Sequence, residues 1–380
     1  MSFTNSIFRW ELAVCPGPIK REISSKTMTN PYVSQPQKAF WKSGVSECSP
    51  LELPEVYKPR FEIDRKMRIT CAGSCFAQHI GGQFKKRNFR FIDLEPPPPM
   101  LAQNDWHEFG FDLYSARYGN IYTARQLVQM LARADGALKP TETVWLDDHG
   151  RARDPFRPAI EPNGFGSAEE LSNDQEYHLA QVSKLLDNTD LFVFTLGLTE
   201  AWECIADGVV LPTCPGTVGG TFDADKYRFK NFSFLETLND MKTFIEIARM
   251  HNPEMKFLFT VSPVPLTATA TDDHVLAATV HSKSVLRAVA GELYQTYDYV
   301  DYFPSYELVA SHPMRAMFYM PNLRAVALQG VAHVMDVFFS SIGDVGLAEE
   351  EPFQGSGQSG RPVKANDDVV CEEEILEMVG

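Results

Sequence analysis

The chain has 380 residues, 44% of them hydrophobic and 22% charged, with a formal net charge of -15. That length and apolar content suit one large α/β domain with decorations, or two domains. The acidic balance argues against a nucleic-acid or anionic-membrane partner, because it repels phosphate-rich surfaces. Seven cysteines at irregular spacing, none in a Cys-x-x-Cys pair, suggest reduced thiols of a cytoplasmic protein. No window holds the roughly 20 apolar residues that cross a bilayer, and Arg9 and Glu11 interrupt the only modest apolar run of the first turns of chain, which makes a poor signal peptide.

Residues 1–60 are rich in Pro, Ser and Lys and show weak periodicity. They read as an extended arm pinned to the body by aromatics in Asn30-Pro31-Tyr32 and Ala39-Phe40-Trp41. The first α/β signal is a strand over 66–71, a small-residue turn at Gly73-Ser74-Cys75, and a helical pattern over 76–87. A strand-like run at 89–92 and a polyproline connector, Glu95-Pro-Pro-Pro-Pro-Met100, follow. Residues 101–125 form an aromatic-dense loop that leads into a helix over 123–132, with Thr123 as its N-cap. Residues 144–157 resemble a hairpin turning at Asp147-Asp-His-Gly150.

A helix over 167–187 precedes Asp190-Leu-Phe-Val-Phe-Thr-Leu-Gly197, a nearly continuous apolar run that reads as a buried parallel strand. Residues 203–230 look like an insertion with its own hairpin, 209–212 against 216–221. The αβ rhythm resumes with a helix over 234–252, a strand over 256–261, a helix over 282–296, a strand over 297–303 and a closing helix over 327–342. From 348 onward the composition is Gly-Ser-rich and then acidic, with a short terminal helix expected over 372–378. Strands alternating with helices imply a parallel sheet with helices on both faces. The domain lies at 61–345, between the arm and a flexible tail at 346–380.

In such a sheet ligands sit at the carboxyl ends of the strands. Three strand ends carry polar groups: Gly73-Ser74, Gly197-Leu-Thr-Glu200 and Ser262-Pro-Val-Pro265. A strand, tight turn and helix present a small nucleophile beside helix N–H groups, which makes Ser74 a candidate nucleophile; a Gly-Ser turn is also common without any chemistry. Thr199 is placed to donate to an oxyanion and Glu200 to orient a partner, unless the segment simply begins a helix with Thr199 as N-cap. Cys75, at a helix N-terminus, is an alternative nucleophile. The arginines Arg151, Arg153 and Arg157, with the aromatics of 106–122, either bind a sugar or anionic substrate or form a solvated face. His178 and His251 stand isolated and read as surface residues. No His/Asp/Glu cluster has zinc spacing, and no Gly-Lys-Ser/Thr follows the glycines of 73–82.

Gly73-Ser-Cys-Phe-Ala77 resembles the namesake motif of the GSCFA family. The resemblance extends through Gln78-His79-Ile80, Tyr118-Gly-Asn-Ile-Tyr-Thr-Ala-Arg-Gln126, Gly150-Arg-Ala-Arg-Asp-Pro-Phe-Arg-Pro158, Thr195-Leu-Gly-Leu-Thr-Glu-Ala-Trp202, Ser262-Pro-Val-Pro265, Ser282-Lys-Ser-Val-Leu-Arg287 and Tyr302-Phe-Pro-Ser-Tyr-Glu307. It covers about 30–345. The family is placed with the SGNH hydrolases, which implies a flavodoxin-like parallel sheet with helices on both faces and insertions. It also implies a serine-dependent esterase or O-acyltransferase, plausibly on a carbohydrate, that needs no metal or organic cofactor. The substrate would be a small molecule or a glycan.

Carried over by residue, the resemblance makes Ser74 the nucleophile and places the oxyanion donors at the Ser74 N–H, Thr199 and Asn120. Arg157 and Trp202 become the candidate substrate contacts. The superfamily's closing Asp-x-x-His block falls on Asn322-Leu-Arg-Ala325, where neither acid nor histidine stands. A serine needs a base, so His274 or His312 must serve, with Glu200 or Asp273 orienting it. His79 and His333 are weaker candidates. Without a base, the chain is a non-catalytic carbohydrate- or partner-binding module on the same fold.

Overall fold

The computed structural model describes residues 30–344. The first part of the N-terminal arm, the acidic tail at 346–380 and its expected helix at 372–378 lie outside the described residues. In chain order the elements are β1 (Ile69–Gly73), α1 (Phe76–Lys86), α2 (Ala124–Ala134), β2 (Trp145–Leu146), β3 (Ala152–Arg153), α3 (Ala168–Val182), β4 (Leu191–Leu196), β5 (Glu200–Cys204), β6 (Val210–Leu211), β7 (Tyr227–Asn231), α4 (Phe234–His251), β8 (Lys256–Val261), α5 (Val275–Thr296), β9 (Val300–Tyr302), α6 (Ser305–Ala310) and α7 (Leu328–Ser341).

The most apolar runs become the sheet. β1, β4, β8 and β9 lie side by side in that order and all pair in parallel. Every residue of β4 is buried, as expected of a strand covered on both faces. Phe192 turns to α4, where its ring meets Phe244 edge-on at 4.8 Å. The other face carries α1 and α7, whose Phe84, Phe338 and Phe339 pack ring against ring. The run at 89–92 contributes a single parallel bridge, Phe91 to Ile69, on the outer side of β1. The chain therefore moves outward from β1 to Phe91 and then returns to the opposite side for β4. In open sheets of this kind such a reversal marks the place of the ligand crevice, here at the carboxyl ends of β1 and β4, where Gly73 and Leu196 stand.

Several sequence expectations shift. The segment after Gly197 does not start a helix; it enters β5, the centre of a separate antiparallel sheet ordered β6-β5-β7. The hairpin expected inside 203–230 pairs differently: Val210 and Leu211 face Glu203 and Trp202, while β7 occupies the other edge of β5. The glycine-rich 216–221 segment forms no strand. It lies against β2, where a Cβ on Gly220 would meet the Trp145 ring at 2.9 Å. Helix α5 begins at Val275 rather than near 282, because the Val-Leu-Ala-Ala stretch continues the helical face and His274 caps it.

The arm is not extended over 30–46. It forms short helical turns at Pro31–Ser34, Gln37–Ala39 and Lys42–Ser46, and its aromatics do not bury: Tyr32 is 68% and Trp41 58% exposed. Trp41 nonetheless stacks on His312 of the body at 5.2 Å, and the buried attachment lies further on. Asp301 of β9 accepts from the Tyr57 hydroxyl at 2.8 Å and the Arg60 N–H at 2.9 Å. The Arg60 guanidinium donates to the carbonyls of Tyr294, Tyr297 and Val300 and stacks over the Tyr294 ring at 3.5 Å. It thus satisfies the open carbonyls at the end of α5. Arg60→Ala is expected to lower the unfolding free energy by about 2 kcal/mol, the scale of lost charged hydrogen bonds, measured as the midpoint of urea denaturation.

Candidate functional site

Two glycines decide how the strand ends meet. Gly73 has φ +141°, and a Cβ there would lie 2.5 Å from the Thr195 carbonyl oxygen. Only glycine permits that approach. The next residue, Ser74, donates its N–H to the same Thr195 carbonyl at 3.2 Å, and α1 begins two residues later. Ser74 accepts from the Ala77 N–H at 2.8 Å, so its backbone is tied into the first turn. Gly197, at the end of β4, faces it directly: a Cβ on Gly197 would stand 2.9 Å from the Ser74 Cβ and 2.9 Å from the Tyr122 carbonyl. Ser74 is 3% exposed. Its hydroxyl and that of Thr195 are buried with no hydrogen-bond partner. Each such group costs about 1–3 kcal/mol, so the site holds polar capacity that the fold leaves unspent.

A third segment closes the crevice. Ile121 donates its N–H to the Gly73 carbonyl at 2.8 Å, and the Tyr122 carbonyl accepts from Gly197 (3.2 Å) and Leu198 (3.0 Å). The segment is fixed on its far side by a capping box, in which Thr123 and Gln126 exchange side-chain bonds with each other's backbone. Asn120 is buried, and its Oδ1 accepts from the Tyr114 hydroxyl and, at 3.3 Å, from Gln78 Nε2. The oxygen end of the Asn120 amide is thereby fixed toward α1.

Helix α5 holds the other wall. Ser282 Oγ accepts from the Thr199 N–H at 3.0 Å. Lys283, only 2% exposed, donates from Nζ to the Gly197 carbonyl at 2.6 Å. Glu200 is buried, and its Oε1 accepts from the Thr269 hydroxyl at 2.9 Å. Burial raises the Glu200 carboxyl above its ordinary range, while Thr269, the Ala270 N–H and the nearby His281 offset part of that rise and Asp273 adds to it. Sequence reasoning missed Gln78, His281, Ser282 and Lys283. The Ser282-Lys-Ser segment stood out as a motif, but nothing in its spacing revealed that it grips the Gly197 turn.

Other expected residues fall elsewhere. Two expected oxyanion donors are engaged in this structure: the Ser74 N–H donates to the Thr195 carbonyl, and Thr199 spends its one hydroxyl hydrogen on Asn231 at 2.7 Å. No histidine bonds to the Ser74 hydroxyl. His274 is exposed and caps α5, its Nδ1 accepting from the Leu276 N–H at 3.1 Å. His312 lies in a turn after α6, stacked on Trp41 at 5.2 Å. His79 packs edge-on against Phe76, and His333 stacks on Phe318 at 5.0 Å. His178 is not a surface residue: it is buried and bonds through Nδ1 to Glu95 at 2.7 Å. Burial and the neighbouring Arg157 hold its ring below the usual histidine range.

Arg157, expected as a substrate contact, is engaged within the fold. It is buried, donating to Asp154 (2.7 Å), Asp174 (2.6 Å) and the Arg117 carbonyl (3.2 Å). Arg151 and Arg153 are engaged with the carbonyls of 161–164, and Arg153 also with Asp147. Trp202 packs edge-on against Phe222 and Phe229. Cys75 is buried at the start of α1. Among the described residues no group of three or more His, Cys, Asp or Glu is placed to hold a metal ion, and no helix is long and apolar enough to cross a membrane.

The sequence profile of the GSCFA family matches residues 68–338, a span that includes all three segments of the crevice. Among the curated proteins no sequence matches the chain. A solved structure from Streptococcus pneumonia, provisionally described as a platelet activating factor, is similar at 13% identity and a TM-score of 0.25, over 46% of this chain and 65% of that one. The chain thus spans less than two thirds of that protein. A second is the Ser-to-Ala mutant of an acetyl esterase solved with acetate, at 13% identity and a TM-score of 0.25, over 59% and 93%.

The raised Glu200 carboxyl sets a pH dependence. The folded chain keeps that proton to higher pH than the unfolded chain, so stability falls as pH climbs above the ordinary glutamate range. Glu200→Gln removes the penalty and keeps an acceptor for Thr269. Its urea midpoint is expected to exceed the parent's at pH 7 and to converge with it near about pH 3–4; a gain independent of pH would contradict this.

Proposed function

The chain belongs to the GSCFA family, and from that premise we propose that it is a serine-dependent acyl-ester hydrolase or O-acyltransferase of the SGNH type, with Ser74 as nucleophile. One observation carries the reading: the Ser74 hydroxyl is buried without a partner at the point where the chain reverses between β1 and β4. The strand order, from the Phe91 bridge through β1, β4, β8 and β9, supports a flavodoxin-like topology, in which ligands bind at that reversal.

In this reading Ser74 Oγ attacks the ester carbonyl, the alcohol leaves, and the acyl-serine passes its acyl group to water or to an acceptor hydroxyl. Asn120, with its oxygen end held by Tyr114 and Gln78, supplies a side-chain donor for the oxyanion. The Ser74 proton goes to a histidine of the 262–281 segment, His274 or His281, which returns it to the departing alcohol oxygen. That segment brings His281, and Asp273 beside His274, into electrostatic reach of Glu200. Lys283 and Ser282 position the Gly197–Thr199 turn against Ser74.

A second reading rests on an equally specific observation. The Ser74 hydroxyl has no histidine partner, as expected of a module that binds carbohydrate or a protein partner without turning it over. A serine-directed fluorophosphonate and a short-chain p-nitrophenyl ester separate the two. The esterase reading predicts labelling and turnover that Ser74→Ala abolishes; unlabelled protein with no Ser74-dependent turnover leaves the binding module. Ser74→Ala is also expected to raise stability by about 1 kcal/mol, since it removes an unsatisfied buried hydroxyl, whereas a structural serine would lose stability in the same melting experiment.

A further inference from the structure

Beside the crevice, an open cavity of about 480 Å³ runs along α1 between the loop carrying Gln103 and Trp106 and the start of α7. Its size falls within the ~300–1,000 Å³ of small-molecule sites. Gln78 and His79, in the first turns of α1, line its inner end, and Lys85 and Lys86 its outer end. Gln78 also donates to Asn120 at 3.3 Å, so one residue of α1 touches both the cavity and the 120–122 segment beside Ser74.

The lining is specific in kind. The Trp106 indole N–H is taken by the Leu101 carbonyl at 3.1 Å, so Trp106 offers the cavity its ring rather than a donor. Gln83 and Gln103 add amides that both donate and accept. At the outer end Lys85 is paired with Asp112 at 2.5 Å, which leaves Lys86 to contribute charge. Gly82 opens the wall between the two ends: a Cβ there would meet nothing within 4 Å. A flat ring face among paired donor-acceptor groups matches the apolar faces and hydroxyl edges of sugar rings, whereas an acyl chain would leave these amides unpaired.

We propose that this cavity is the binding site for an oligosaccharide, neutral or bearing an acidic unit near Lys86, that presents its ester to Ser74. The proposal rests on the Ser74 reading for the ester but not for the binding. Gly82 supplies a clean probe, because a larger side chain in the middle of α1 fills the cavity at a position where the helix itself favours almost any residue over glycine.

The test is binding of the full-length chain to an array of di- to tetrasaccharides, each printed plain and O-acetylated, with fluorophosphonate labelling run on the same preparations. The parent is expected to bind a subset of these. Gly82→Phe and Trp106→Ala are expected to weaken that binding about tenfold or more while labelling at Ser74 is unchanged. Matched melting curves exclude misfolding as the cause, and Gly82→Leu replaces Gly82→Phe should the latter not fold. No binding by the parent, or binding undiminished in both variants, overturns the oligosaccharide site even where labelling succeeds. Binding that is lost in the variants while the parent fails to label upholds the site and removes the esterase reading alone.

Discussion

The site depends on how closely the ends of β1 and β4 can approach. Two side chains are missing at that contact, one at Gly73 against Thr195 and one at Gly197 against Ser74 and Tyr122. With a Cβ at either place the strands would have to part or the Ser74 turn would have to move. Because neither is present, Ser74 leaves the sheet directly into the first turn of α1, with its Cβ packed close against Gly197. The buried, unpartnered hydroxyls of Ser74 and Thr195 follow from that geometry, and they are a cost that the rest of the fold must offset.

The offset is made by rigid polar scaffolding rather than by the sheet alone. Arg117 lies between Glu161 and Asp174, and Arg157 joins Asp174 to Asp154 and to the Arg117 carbonyl. These buried pairs tie α3 and the 154–161 loop to the segment that runs from Arg117 to Tyr122, and so to the wall of the crevice. Replacing a buried ion pair with apolar groups is often neutral, whereas breaking one costs about 3–5 kcal/mol. Their value here is position: they fix where Tyr122 receives Gly197. Lys283 does the same from α5, with a buried amine held on the Gly197 carbonyl. Arg157, a candidate substrate contact in the sequence, is thus also part of the frame behind the site.

What the sequence made legible follows from range. Residues 191–196 and 257–261 are nearly continuous apolar runs, and each becomes a strand within a residue or so of the expected bounds. Thr123, Ser167 and Ser233 cap their helices with local bonds, and the Gly73-Ser74 turn sits where a strand gives way to a helix. The hairpin at 144–157 was equally local. The strands β5 and β7, and the pairing of β6 with β5 instead of 216–221, were not readable, because pairing across loops of this length leaves no periodic trace. The grip of α5 on the 197–199 turn joins residues 83 and 86 positions apart, and the burial of His178 depends on Glu95, 83 positions away. A single sequence carries no signal for contacts of that separation.

If Ser74 is the nucleophile, its hydroxyl becomes acylated during turnover. Intact-mass measurement after acid quench of the protein with an aryl acetate, followed by peptide mapping, tests it directly. One acetyl group is expected on the peptide containing Ser74, absent in Ser74→Ala. No adduct, or an acetyl group carried by the neighbouring Cys75 that persists in Ser74→Ala, would contradict it.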